Sequence, residues 1–230
     1  MLGSWLAPVC FVLTVILYFM TKWLYSKRKS ILVMPLLLAP LLILAVLFVL
    51  HIPYHTYMKD SHWLLWMLGP ATVAFAIPVY DQRQLIKRHW LSLSVGVTVS
   101  VIVAVGSSVM IARLFHLSDI LQRSLAVRSI TTPFAIEAAK SIGGKSDLTA
   151  VFVVITGVFG MAIGEFMMAI ISIRSRLGLG AGFGASAHGA GTAKAYQIGH
   201  TEGAVSSVIM MLAGMITVCL APFLGKLLWS

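Results

Sequence analysis

Gly182-Phe-Gly-Ala-Ser-Ala-His-Gly-Ala-Gly-Thr-Ala-Lys-Ala-Tyr-Gln-Ile-Gly-His-Thr-Glu202 is the stretch on which the fold turns. It places glycines, hydroxyls, two histidines, a lysine and a glutamate in about one helix length, inside a chain that is otherwise apolar enough for a bilayer. Glycine lowers helix propensity by about 1 kcal/mol per residue. The glycines at 182, 184, 189, 191 and 199 therefore predict a broken or closely packed helix, not a straight lipid-facing rod. Non-helical backbone at membrane depth persists only where protein or a watery cavity satisfies the freed groups. The stretch reads as the lining of a path for a small solute.

The surroundings set the class. Of 230 residues, 59% are hydrophobic and 10% charged, and the mean hydropathy is +0.96, which predicts an all-α, polytopic membrane protein of one membrane domain over 1–230. Residues 1–25 lack a basic region ahead of their apolar run, so they read as a retained first helix and not a cleaved signal. The formal charge of +10 does not indicate nucleic acid, because Lys and Arg cluster beside apolar segments, where they orient helices and meet anionic lipid headgroups. Cys10 and Cys219 lie inside apolar runs and suggest neither a disulfide framework nor a thiolate metal site. His51, His55, Asp60 and His62 read as residues of an exposed interfacial loop, with helical register broken at Pro53, so no metal is expected.

A span needs about 20 apolar residues. That ruler gives segments near 5–24, 31–51, 63–80, 90–113, 124–142, 148–173, 180–198 and 203–228, seven or eight in all. The positive-inside rule puts Lys27, Arg28 and Lys29 in the cytoplasm, and with them Arg83, Lys87 and Arg88, leaving the N-terminus outside. Two segments carry breaks beyond the opening stretch. Leu68-Gly-Pro-Ala-Thr-Val-Ala-Phe-Ala-Ile-Pro-Val-Tyr holds Pro70 and Pro78, and Arg128-Ser-Ile-Thr-Thr-Pro-Phe-Ala holds Pro133 behind two threonines. Matching breaks in two halves point to a transporter site between inverted repeats, here 1–114 and 120–230, with Gly69–Leu114 aligned on Ala185–Ser230. The re-entrant form of 124–142 is preferred, because it returns Arg174 and Arg176 to the cytoplasmic side.

Three passages resemble the LrgB/CidB family, which includes the LrgB-like half of the plastidal glycolate/glycerate translocator. They are Ser129-Ile-Thr-Thr-Pro-Phe-Ala, Ile142-Gly-Gly-Lys-Ser-Asp-Leu-Thr-Ala, and His188-Gly-Ala-Gly-Thr-Ala-Lys-Ala with Glu202-Gly-Ala-Val-Ser-Ser. One position departs, since the family usually has Ser directly before the histidine, whereas Ala187 stands here and Ser186 is one residue earlier. The resemblance implies an inner-membrane protein that is antiholin-like or modulates murein hydrolase export and autolysis. It implies a smaller LrgA/CidA-type membrane partner, a homo-oligomer, and movement of carboxylates such as glycolate, glycerate or pyruvate.

The candidate substrate-binding residues are Ser129, Thr131, Thr132 and Pro133 in one segment and Ser186, His188, Gly189, Gly191 and Thr192 in the other. The hydroxyls and the amides after Pro133 suit a carboxylate, although threonines also satisfy carbonyls freed by a proline. His188 has room among small neighbours to bond an acid or carry a proton, or to pack as a core imidazole. Glu165, Lys194 and Glu202 are coupling or structural polar groups: an intramembrane acid, a cation that pairs or snorkels, and a helix-start anchor. No phosphate loop, activated nucleophile or redox motif is recognisable, so neither an enzyme nor a cofactor is expected.

Overall fold

Apolar runs in lipid must satisfy their own backbone groups, which leaves the helix as the economical form. The computed structural model describes residues 2–28, 30–74 and 76–229; Lys29, Phe75 and the side chain of Pro78, used in the readings above, lie outside what is described. Among the described residues the regular structure is entirely helical. In order come α1 (Leu2–Lys27), α2 (Pro35–Val49), α3 (Tyr54–Trp66), α4 (Leu68–Ala74), α5 (Ala76–Asp81), α6 (Arg83–Arg88) and α7 (Trp90–Leu114). There follow α8 (Asp119–Ala126), α9 (Thr132–Ser141), α10 (Ser146–Ile170), α11 (Arg176–Ile198) and α12 (His200–Trp229). Among the described residues, four helices are long and apolar enough to cross a membrane: Leu6–Lys27, Trp90–Leu114, Ser146–Ile170 and His200–Trp229. The chain divides into two compact units at Ala71/Thr72.

In the first unit α1 packs against α2 and α3. The Thr14 hydroxyl donates to the Cys10 carbonyl at 2.8 Å and shares a 3.2 Å hydrogen bond with the Tyr57 hydroxyl on α3. The 31–51 segment is shorter than its apolar run, because Pro35 starts a helix of only 15 residues behind a 3-10 turn at Ile31–Val33. At 1.5 Å per residue that is about 22 Å, less than a bilayer core of about 30 Å. The loop reading of the histidine cluster is corrected. Pro53 is extended and caps α3, so His55, Asp60 and His62 lie on a helix, with Trp66 Nε1 donating to His62 Nε2 at 2.7 Å. Proline at a helix start loses nothing, since its missing amide is one the helix leaves unpaired.

The 63–80 segment is likewise not one rod but the end of α3 followed by α4 and α5. In the second unit α7 buries Val97, Val101, Val105 and Val109, a four-residue spacing that lays one face on α8, α11 and α12. Small residues set the other contacts, as they must where lipid is as apolar as the side chains.

The course of α8 and α9 follows from their bonds to α10. Ser124 Oγ accepts from the Lys145 amide at 2.9 Å, Thr149 Oγ1 donates to the Ser124 carbonyl at 3.3 Å, and Arg128 donates to Thr156 Oγ1 at 3.1 Å. So α8 rises along α10 from its start to its middle. The chain then reverses, and the end of α9 lies back beside α8, where Arg123 donates to the Ile142 carbonyl at 2.7 Å. With 8 and 10 residues, the legs are about 12 and 15 Å long, half a bilayer each.

A second hairpin enters from the other end of α10. A Cβ at Gly164 would lie 2.9 Å from Phe183 Cε1, one at Gly160 2.6 Å from Ala187 Cβ, and one at Gly157 2.7 Å from His188 Cε1. The first leg of α11 thus descends α10 from near its end to its middle. At His188 the backbone leaves the helix, with φ 37° and ψ −119°. The second leg climbs back: Lys194 Nζ reaches Glu165 Oε2 at 2.8 Å, and a Cβ at Gly191 would run into the Phe183 carbonyl. In a straight helix, residues eight apart are about 12 Å apart along the axis, so this contact requires the fold-back. The legs, 176–187 and 189–198, are about 18 and 15 Å long.

Helix α12 runs antiparallel to α10 past both hairpins. Its Ser206 meets Gly184 and Thr192, its Gly214 takes Phe134, and its Gly225 lies against Ile142. Arg113 donates to the Leu228 carbonyl, which brings the ends of α7 and α12 together. The start of α7, next to Arg83, Lys87 and Arg88, therefore shares an end of the second unit with Arg174 and Arg176.

Candidate functional site

Two interruptions of helix reach the middle of α10 at adjacent residues. Arg128 is held at Thr156, and His188 lies over Gly157; α10 itself runs from Ser146 to Ile170.

The first interruption is 127–131. Thr131 takes extended φ/ψ (−64°, 148°) as the N-cap of α9, with Thr132 and Pro133 in its first turn. Proline in the first turn of a helix supplies a preset φ and loses no needed amide, so the chain restarts here as α9. Thr131 is buried and its hydroxyl has no hydrogen-bond partner. A buried hydroxyl left unpaired costs about 1–3 kcal/mol. Ser129 turns aside, lining with Ser100, Ala185 and Thr217 a crevice of about 10 Å³, barely the space of one water.

The second interruption is one residue long. The angles of His188 match the first central position of a type II′ turn, which glycine dominates. A non-glycine residue there costs about 1–3 kcal/mol, even though Gly189 is next in sequence. The imidazole is 5% exposed and its Nε2 has no partner. Gly191 is buried where the legs touch, while Gly189 faces open space with nothing within 4 Å of a Cβ. Thr192 Oγ1 shares a 2.9 Å hydrogen bond with Ser206 Oγ. Ser186 is not part of this group: it is exposed and its hydroxyl donates back to the Gly182 carbonyl at 2.7 Å.

Of the three polar groups set beside the site, Glu165 and Lys194 pair with each other at 2.8 Å, bracing the second leg of α11 against α10. Glu202 is buried in the first turn of α12, 4.0 Å from Arg176, where a carboxylate favours the helix start.

Sequence reasoning passed over Arg128, Thr156, Gly157 and Ser206. A signal existed for two of them. Gly157, Gly160 and Gly164 fall at the small-residue spacing of a packing groove, and Arg128 is an ionisable residue within an apolar segment. The groove is what admits a strained histidine to the middle of the bundle.

Half-length hairpins against full-length apolar helices define the class, a polytopic helical membrane protein with a polar interior break. The LrgB-like family matches residues 14–227, and the chain belongs to it. Relatives include YwbG of Bacillus subtilis (strain 168), 38% identical and covering 94% of this chain and 96% of that protein. The antiholin-like protein LrgB of the same organism is 30% identical over 90% of each. The holin-like protein CidB of Staphylococcus epidermidis is 30% identical over 95% of each. No solved structure matches.

Proposed function

We propose that this protein is a secondary transporter of small monocarboxylates, of the size of pyruvate, glycolate or glycerate, in the cell's inner membrane. The observation that carries the reading is the pair of half-length hairpins entering from opposite ends and meeting the middle of α10 through Arg128 and His188, each turn holding a buried polar group without a partner, Thr131 or His188. Opposed broken segments at mid-depth are how a transporter offers polar groups to a solute that both sides reach in turn. On this reading the hairpins count as two of eight hydrophobic segments, and the opposed courses of 119–170 and 176–229 support an inverted pair within the second half. Arg83, Lys87, Arg88, Arg174 and Arg176 share one end, which the positive-inside rule makes cytoplasmic, with the N-terminus outside.

Uptake of labelled pyruvate, glycolate and glycerate into vesicles, with and without an LrgA/CidA-type partner, tests the reading. Saturable flux supports it, and no flux in either arrangement overturns it.

A second reading is favoured by the names of two relatives, antiholin-like LrgB and holin-like CidB. On it, the chain tunes a holin-type partner and so controls murein hydrolase export and autolysis. The two separate cleanly in His188→Ala: a lysis phenotype that persists once flux is lost belongs to regulation, and one that vanishes with flux belongs to transport.

A further inference from the structure

Resting on the transport reading, we infer that Arg128 is the substrate's carboxylate anchor, and that its single charge restricts the site to monoanions. Arg128 stands at the turn between α8 and α9, half-buried, and the partner recorded for its guanidinium is neutral, Thr156 Oγ1 at 3.1 Å. The chain has seven acidic residues. Three form ion pairs elsewhere, Glu137 with Lys140, Glu165 with Lys194 and Glu202 with Arg176, and among the described residues no ion pair involves Arg128. A cation taken from water without a counter-ion is expensive, so intramembrane arginines pair or face an ion path. A guanidinium has five donors in a planar fork that grips a carboxylate by two bonds, and one bond to Thr156 leaves most of that fork unused.

Further donors stand at the same turn and at the neighbouring residue of α10. The unpartnered, buried hydroxyl of Thr131 stands at the start of α9, where the helix dipole favours an anion. Across one residue of α10 sits His188, whose buried Nε2 also lacks a partner. One fixed positive charge, neutral hydroxyls and an imidazole suit one carboxylate with a polar substituent, such as the keto or hydroxyl oxygen of a 2-oxo or 2-hydroxy acid. A second carboxylate would have no cation to meet.

The test uses the full-length protein in proteoliposomes, with labelled glycolate as substrate and glycolate, glycolamide and malonate as competitors. The wild type is expected to prefer glycolate over both glycolamide and malonate by about 30-fold or more, the scale of a buried charge pair broken on one side. Arg128→Lys should raise the half-saturation constant about tenfold. Arg128→Gln should raise it at least ~30-fold and abolish the discrimination between glycolate and glycolamide, which a merely structural role for Arg128 would leave intact. Arg128→Gln with wild-type affinity and discrimination overturns the anchor while leaving transport standing. Wild-type protein that carries malonate as well as glycolate overturns the single-charge restriction, even if no Arg128 variant folds. In that event the anchor is read on the wild type, where glycolate but not glycolamide should slow phenylglyoxal modification mapped to Arg128; equal protection by both overturns it. Wild-type protein with no saturable uptake defeats the transport reading, and the anchor with it.

Discussion

The two hairpins reach the same depth by different means. Between α8 and α9 the chain is broken by covalent chemistry: proline at 133, an extended threonine at 131, and five residues outside helix. In α11 it is broken at one residue, whose strained backbone is held by the space that Gly157, Gly160 and Gly164 leave on α10. One turn is written into its own residues; the other is imposed by its neighbours. The first should therefore tolerate changes nearby, and the second should fail when the groove is filled.

The largest effect is expected at Gly157→Val. Its branched side chain would collide with the imidazole, already 2.7 Å from a bare Cβ, and overpacking of this kind costs about 1–3 kcal/mol. Thermal unfolding in detergent should show that loss together with loss of flux; unaltered flux would mean the groove does not hold the second hairpin. Next comes Gly191→Ala, which meets the Phe183 backbone and should cost about 1–3 kcal/mol. Gly189→Ala faces open space and should be neutral or stabilising by up to about 1 kcal/mol. Equal effects at the two sites would contradict the fold-back.

His188→Gly sharpens the contrast from the other direction. Relief of about 1–3 kcal/mol of backbone strain offsets the cavity left by the ring, so stability should stay within about 1 kcal/mol of wild type while flux falls at least tenfold. Smaller still is a pair of valines. Thr131→Val removes an unpaired buried hydroxyl and should be neutral or stabilising by about 1 kcal/mol. Thr192→Val strands Ser206 and should destabilise by about 1 kcal/mol, read by chemical or thermal unfolding. Ser186→Ala, exposed and bonded within its own helix, should change stability by less than about 0.5 kcal/mol.

The chain reveals its breaks more readily than its directions. Pro133 acts locally, so the first interruption can be read from composition, whereas the glycines around His188 announce a weak helix without saying at which residue it breaks. Which end of α10 each hairpin enters depends on contacts such as Ser124 with Thr149 and Phe183 with Gly164, between residues remote in sequence, and no periodicity encodes them. The cluster at His55, Asp60 and His62 was misread as a loop because Pro53 signals either a stop or a start, and here it begins α3. Arg128 is inconspicuous in the sequence, where a lone arginine beside an apolar run looks like an interfacial charge; that its guanidinium meets Thr156 emerges only from the fold.

The opposed entry of the two hairpins has a consequence for leakage. On the transport reading, a solute held at their shared depth would have half a membrane's thickness of protein on each side, and withdrawing one hairpin would open a route to one compartment alone. If each withdrawal is populated about 1% of the time and the two are independent, both coincide about 0.01% of the time. Two shallow seals in series can thus be as tight as one deep barrier, while each remains easy to open.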